Sequence, residues 1–271
     1  MPELPEVETT RRGIAGRLTG AAICEVIVRN PKLRWPVPGN LDEILAGQTL
    51  QAIERRAKYL LFRFKHGTLI VHLGMSGSLR VLSTDTPVEK HEHIDLVFSN
   101  GQRLRYRDPR RFGAFQWTVE PPEKHPLLCK LAPEPLSGEF NTDYLAKALA
   151  GKKIAIKPAI MDQHLVVGVG NIYASEALFR AGIVPQRPAN RLSAEEILRL
   201  VDAIRAVLKE AIAAGGSTLR DYVDSDGNAG YFTVNSYVYG LAGKPCRVCG
   251  SPIQTLRQGQ RATFWCPHCQ H

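Results

Sequence analysis

Two Cys-x-x-Cys pairs close the chain, Cys246 with Cys249 and Cys266 with Cys269, and sixteen residues separate them. Two knuckles of soft thiolates at that spacing can converge on one tetrahedral Zn²⁺ at the base of a β-hairpin, and four protein ligands leave no open position, which makes the ion structural. Iron–sulfur ligation and two redox couples draw on the same residues, and His268 and His271 are further nitrogen donors; the short, polar, turn-containing segment between the pairs favours the zinc hairpin. That hairpin carries Lys244, Arg247, Arg257 and Arg261, with no acidic residue from Tyr237 to His271, so its natural partner is a polyanion. At the other end the chain reads Met1-Pro2-Glu3-Leu4-Pro5-Glu6. Removal of Met1 leaves a free secondary amine, a usable nucleophile because α-amino groups titrate at roughly 7.7–8.0. Its attack on a sugar C1′ yields an iminium that is cationic without protonation and acts as an electron sink. The same residues also fit a frayed, acidic chain start.

A third element is the arginine-rich stretch 101–111, with five arginines against one aspartate. Arg103, Arg105 and Arg107 alternate, which predicts one face of a strand and points to phosphate contact. Arg29, Lys32, Arg34, Arg55, Arg56, Lys58, Lys152, Lys153 and Lys157 extend the basic surface. The formal charge of +9 and pI near 9.4 agree with a polyanionic partner. With 44% hydrophobic and 23% charged residues over 271 positions, the composition excludes wholesale disorder and fibrous architectures. No run of 18 apolar residues occurs, and Glu3, Glu6 and Glu8 stand where a signal peptide would be basic, so neither a membrane span nor export is expected. The cysteine layout then implies a reducing, cytoplasmic setting.

These groups need scaffolds. Short apolar or alternating segments at 23–28, 60–64, 68–72, 94–98 and 112–118 predict a β-rich first half, a sandwich or barrel. Two prolines within 131–136 mark a domain boundary, after which the pattern turns helical. The clearest helix opens at Ser193, with Glu196 completing a capping box, and runs to Gly215-Gly216. Residues 224–231 are polar and Gly-rich, as a loop or linker would be.

Taken in order, PELPEVET at 2–9, RRAKYLL at 55–61, HLGMSGSL at 72–79, DPRRFG at 108–113, VVGVGNIYASEALF at 166–179 and QRATFWCPHC at 260–269 resemble the bacterial formamidopyrimidine-DNA glycosylases over essentially the whole chain. The resemblance implies an α+β multidomain protein: an N-terminal β-sandwich catalytic domain (1–132), a helical domain with a helix–two-turn–helix motif (133–224), and a loop with a four-Cys zinc-finger hairpin (225–271), with DNA in the cleft between them. It implies a bifunctional glycosylase and AP lyase of base excision repair that removes 8-oxoguanine and formamidopyrimidines through a Schiff base and β,δ-elimination. Carried over by residue, the nucleophile falls on Pro2, the general acid on Glu3, a supporting carboxylate on Glu6, the lysine of elimination on Lys58 and the δ-elimination arginine on Arg261. DNA contact falls on His72, His91, Lys152 and Asn171, and filling of the void left by a flipped base on Met75, Arg110 and Phe112. One structural Zn²⁺, double-stranded DNA with oxidised bases or abasic sites, a monomeric state and nucleoid association during repair complete the expectation. Residues 217–231 are expected to close over the flipped base. An endonuclease VIII-type enzyme preferring oxidised pyrimidines and a catalytically silent DNA-binding relative are the alternatives. Leu4 with the Met75/Arg110/Phe112 set favours the purine branch, and the intact Pro2, Glu3 and Lys58 argue against silence.

Overall fold

The computed structural model describes residues 1–216 and 236–271, which fall into two compact units. The first gathers Met1–Lys130 with Gly215 and Gly216; the second gathers Leu131–Ala214 and the described C-terminal residues.

In the first unit α1 (Leu4–Leu18), β1 (Ile23–Val28) and α2 (Leu41–Leu45) precede β2 (Ala52–Arg56), β3 (Tyr59–Phe64), β4 (Gly67–His72), β5 (Ser78–Ser83), β6 (Glu92–Phe98), β7 (Gln102–Arg107) and β8 (Ala114–Thr118). The strands form two antiparallel four-stranded sheets, ordered β1-β6-β7-β5 and β2-β3-β4-β8. Period-two alternation sends Leu60, Phe62 and Phe64 of β3, Ile94, Leu96 and Phe98 of β6, and Leu104 and Tyr106 of β7 into one core between the sheets. The expected sandwich is present. It also contains two strands beyond the expected set, β2 and β5, whose charged outward residues interrupt the apolar signal. The last strand begins at Ala114, which leaves Phe112 on the preceding loop.

The frayed start is also corrected. Residues 4–18 form a helix whose Val7, Ile14 and Leu18 extend the sandwich core. Pro5 in its first turn lacks only an amide that would be unpaired there, and its capping box uses Glu3 and Glu6 where Ser193 and Glu196 serve the later helix. A glutamate cap gives a weaker sequence signal than serine.

The alternating arginines of β7 require a second correction. Arg105 is buried and stands opposite Asp95 on β6; its Nε donates to Asp95 Oδ1 at 2.9 Å and its Nη1 lies 3.0 Å from Glu92 Oε2. Arg103 and Arg29 donate to Asp95 Oδ2 at 2.8 and 2.6 Å. Burial alone would raise the Asp95 carboxyl, but the Arg29 and Arg105 guanidiniums bring it below its ordinary value. Arg103 and Arg105 therefore knit the sheet and do not present themselves to phosphate.

The second unit holds α3 (Thr142–Leu149), α4 (Ile156–Ile160), α5 (Asn171–Ala181), α6 (Ala194–Ala213) and the hairpin β9 (Gln254–Gln258) with β10 (Arg261–Trp265). The α6 helix starts as expected, with the Glu196 amide on Ser193 Oγ at 3.2 Å and the Ser193 amide on Glu196 Oε2 at 2.8 Å. Its buried stripe of Ile197, Leu200, Val201, Ile204, Val207 and Leu208 ends before Gly215 and Gly216, at φ 75° and 83°. The segment 217–231 expected to close over the base, including the Gly-rich stretch 224–231, lies outside the described residues. Among the described residues no helix is long and apolar enough to cross a membrane.

Arg105→Ala should destabilise the protein by about 1.5–3 kcal/mol, because Asp95 Oδ1 and Glu92 lose their guanidinium partner while Arg29, Arg103 and the Glu89 amide still compensate the two carboxylates in part. Urea unfolding checks this, and a loss under about 1 kcal/mol, on the order of an exposed ion pair, would contradict the buried cluster.

Candidate active site and metal centre

Residues 2–6, where the expected nucleophile and acid fall, are immobilised. Pro2 is buried, Glu3 is 3% exposed and Glu6 fully buried. The Glu3 amide donates to Glu6 Oε2 at 2.7 Å, and the Glu6 amide returns a bond to the Glu3 carboxylate. Gly216 lies so close that a Cβ there would come within 3.2 Å of Glu6 Oε1, and its φ of +83° is open to glycine at no steric cost.

The next group stands on two loops of the same unit. His72 ends β4; Met75 follows on the 73–77 turn; Arg110 and Phe112 lie on the loop after β7. Asp108, fully buried, holds both loops: Oδ1 accepts from Ser76 Oγ at 2.8 Å and the Arg110 amide at 3.2 Å, and Oδ2 accepts from Tyr106 Oη at 2.9 Å and the Gly113 amide at 3.0 Å. The loops touch closely enough that a Cβ on Gly74 would come within 2.6 Å of the Phe112 carbonyl carbon. Met75 and Phe112, 38% and 39% exposed, are thus not core residues, although both are large and apolar. The Arg110 guanidinium lies 4.7 Å from the Phe112 ring centroid. Lys32, Arg34, Arg110 and Arg111 line a hollow of about 510 Å³ that has no acidic wall.

His72 Nδ1 accepts from the Gly74 amide at 3.0 Å, so its neutral ring carries the proton on Nε2, and the ring lies 4.7 Å from that of Tyr59. Burial first, then the charges of Lys58 and Arg34, push His72 down to about 4, against the opposite pull of Asp108. His91 adopts φ 72°, and its carbonyl accepts from the Asp108 amide at 3.0 Å, which ties it to the same loop.

In the second unit Lys157 is the centre, a correction to its expected place on the basic surface. It is 1% exposed, and its Nζ donates to Asn171 Oδ1 at 2.7 Å, the Ala262 carbonyl at 2.9 Å and Thr263 Oγ1 at 2.9 Å. One ammonium thereby orients Asn171 at the start of α5 and the β10 backbone beside Arg261, which is exposed next to the Gly259-Gln260 turn. Lys152 is half-buried, and its carbonyl accepts from the Asn190 amide at 3.0 Å. Buried Glu176 is absent from the residues singled out in the sequence; its carboxylate accepts the amides of Tyr237, Val238 and Tyr239 at 2.9, 3.0 and 2.9 Å. A carboxylate between Ser175 and Ala177 on an apolar helix is the signal that could have found it.

The four thiols of Cys246, Cys249, Cys266 and Cys269 lie within 4.8 Å of one another, with Sγ separations of 4.0 Å (246 to 269) and 3.4 Å (249 to 266). Ligands on a tetrahedral zinc with bonds near 2.3 Å would be about 3.8 Å apart, so the residues fit that ion. Neither His268 nor His271 joins the cluster.

Residues 1–115 match the Formamidopyrimidine-DNA glycosylase N-terminal domain, 131–223 the corresponding H2TH domain, and 243–271 the zinc finger found in FPG and IleRS. A formamidopyrimidine-DNA glycosylase of Thioalkalivibrio sulfidiphilus is 57% identical over 270 residues, covering 100% of both chains. The chain belongs to the formamidopyrimidine-DNA glycosylase family. Its fold agrees: a point mutant of the Lactococcus lactis FPG, solved with DNA containing Fapy-dG, aligns over 100% of both chains at TM-score 0.92 and 36% identity. The wild-type Lactococcus lactis enzyme, solved with DNA containing an oxidised pyrimidine, aligns over 100% of both chains at TM-score 0.91 and 36% identity. The zinc finger shared by the family and the four-thiol cluster together make the ion structural.

The unfolded chain takes up a proton on His72 near pH 6.5 and the folded one only near 4, so stability should fall as pH drops through that window. Full linkage would be about 3 kcal/mol, and the solvent-facing rim of the ring trims it to on the order of 2. His72→Gln should flatten that part of the pH–stability curve, and an unchanged slope would contradict a depressed His72. Zinc removal or Cys249→Ser should loosen the hairpin and lower DNA affinity while leaving α1 folded; unchanged affinity in metal-free protein would contradict a structural ion.

Proposed function

We propose that this family member acts as a bifunctional DNA glycosylase and AP lyase with Pro2 as its nucleophile. Support comes above all from the immobilised N-terminus, since a terminal amine aimed at one carbon has to lose its freedom before it meets substrate. The Pro2 nitrogen, freed by removal of Met1, attacks C1′ as the bond to the damaged base breaks. Glu3 protonates the ring oxygen, the sugar opens, and the C1′–nitrogen bond becomes an iminium. The iminium acidifies the C2′ proton; its loss expels the 3′ phosphate by β-elimination, and a second elimination expels the 5′ phosphate. Glu6 holds the first turn of α1, Lys58 serves proton transfer and phosphate binding, and Arg261 neutralises the phosphate leaving in the second elimination.

Met75, Arg110 and Phe112 fill the gap left by the extruded base, which accounts for large apolar side chains kept in water. His72, His91, Lys152 and Asn171 take up backbone phosphates, His72 through its Nε2–H. The domains assigned to this work are 1–132, 133–224 and 225–271. The protein works as a monomer in the cytoplasm on nucleoid DNA. Oxidised purines are the preferred lesions, and the Lactococcus lactis complex with an oxidised pyrimidine supports a range that extends beyond them.

Borohydride reduction on an 8-oxoguanine duplex should trap an adduct whose peptide mass places the link on residue 2, and protein retaining Met1 should trap nothing. An adduct on Lys58, with the blocked protein still active, would overturn the assignment of Pro2.

A further inference from the structure

Helix α1 carries Pro2 and Glu3 at its start, and Glu8 follows about 7.5 Å along the axis from Glu3 at 1.5 Å per residue. Lys58 stands on a different element, the two-residue turn Ala57-Lys58 closed by the Arg56–Tyr59 pair of β2 and β3. Two observations connect them. First, the largely buried Glu8 carboxylate gathers three guanidiniums, Arg11 Nη2 at 2.8 Å, Arg12 Nε at 2.9 Å and Arg55 Nε at 3.2 Å. Second, Arg55 Nη1 donates to the Ala57 carbonyl at 3.0 Å. Arg11 adds a bond to the Ile53 carbonyl at 3.3 Å, which fixes the strand that leads into the turn.

The turn needs such a grip. Ala57 has φ +55° and is 3% exposed, so a residue with a β-carbon sits where two-residue hairpins favour glycine. That conformation persists only where the surroundings over-determine it. Pinning the Ala57 carbonyl fixes the plane of the Ala57–Lys58 peptide, and with it the direction in which the Lys58 Cα departs.

We propose that Arg55, gripped by Glu8, is the positioning residue that sets Lys58 relative to the N-terminal amine of Pro2. The inference rests on the assignment of Lys58 given above. The planar guanidinium matters because one nitrogen serves Glu8 while another serves the backbone; a lysine is a point charge without that fixed fork. Arg55 is not a phosphate ligand in this account, although its position in the basic stretch before Lys58 would make it one.

The test uses the full chain beginning at Pro2, an abasic-site duplex under single-turnover conditions, and the variants Arg55→Gln, Lys58→Gln and the double. Arg55→Gln should slow elimination roughly tenfold and raise DNA Kd no more than Lys58→Gln does, and the double should be no slower than Lys58→Gln alone. Arg55→Lys should recover only part of the loss. Amide exchange across residues 56–59 should accelerate about tenfold in Arg55→Gln while the core of α6 stays protected. Multiplicative losses in the double variant, or an undisturbed turn, would overturn the proposal. Wild-type elimination by Lys58→Gln with a loosened turn in Arg55→Gln would instead remove the assignment of Lys58 and leave the positioning standing. Should Arg55→Gln fail to fold, Glu8→Gln, which keeps the volume and loses the charge, is read by the same two measurements with the same directions expected.

Discussion

Everything proposed for this protein depends on the reciprocal hydrogen bonds between Glu3 and Glu6 across the first turn of α1. Chain ends ordinarily fray, because a few terminal residues cannot offset the entropy of ordering them. Here the first turn is held from three sides: by its own capping box, by the apolar stripe of α1 in the sandwich core, and by the close approach of Gly216 to Glu6. In the proposed mechanism this converts the Pro2 amine, once Met1 is removed, from a mobile group into one with a defined direction. The rest of the first unit is arranged around a fixed origin.

Buried charge is used repeatedly as scaffold. Asp95 ties three arginines across two strands, Asp108 ties two loops, Lys157 ties a helix start to a hairpin, and Glu176 ties three consecutive amides. Each is a costly group to bury, and each is compensated by direct hydrogen bonds. Apolar residues show the reverse. Met75 and Phe112 are half-exposed on loops that Asp108 rigidifies, outside the core, and Phe112 meets the Arg110 guanidinium there, a placement that suits the proposed insertion into a stacked duplex. Polar groups hold the frame and apolar ones reach out of it.

The zinc hairpin follows the same division. Four thiols at its base supply the rigidity that a segment of this size cannot draw from a core of its own, so that Arg261 can be presented from an exposed strand. Lys157 then joins the hairpin to Asn171, so β10 and the start of α5 share one anchor.

Some of this is legible without a structure. The Cys-x-x-Cys spacing determines the metal site because zinc chemistry is local and tolerates little variation. The Ser193 cap and its apolar stripe determine α6, and alternating hydrophobicity determines most of the sandwich. The resemblance of the N-terminal and RRAKYLL motifs to the family is what assigns the proposed chemistry to Pro2, Glu3 and Lys58. What only the tertiary structure decided is the job of each charged residue. Arg103 and Arg105 look like a phosphate-binding face until Asp95 appears opposite them, Lys157 looks like surface until its ammonium is found buried, and Arg55 reads as one more basic residue before Lys58 until its bonds to Glu8 and the Ala57 carbonyl appear. The physical reason is that a charge's role is set by its solvation and its partners, and both come from residues distant in the chain, whereas the periodicities and ligand spacings that sequence reveals are properties of neighbours.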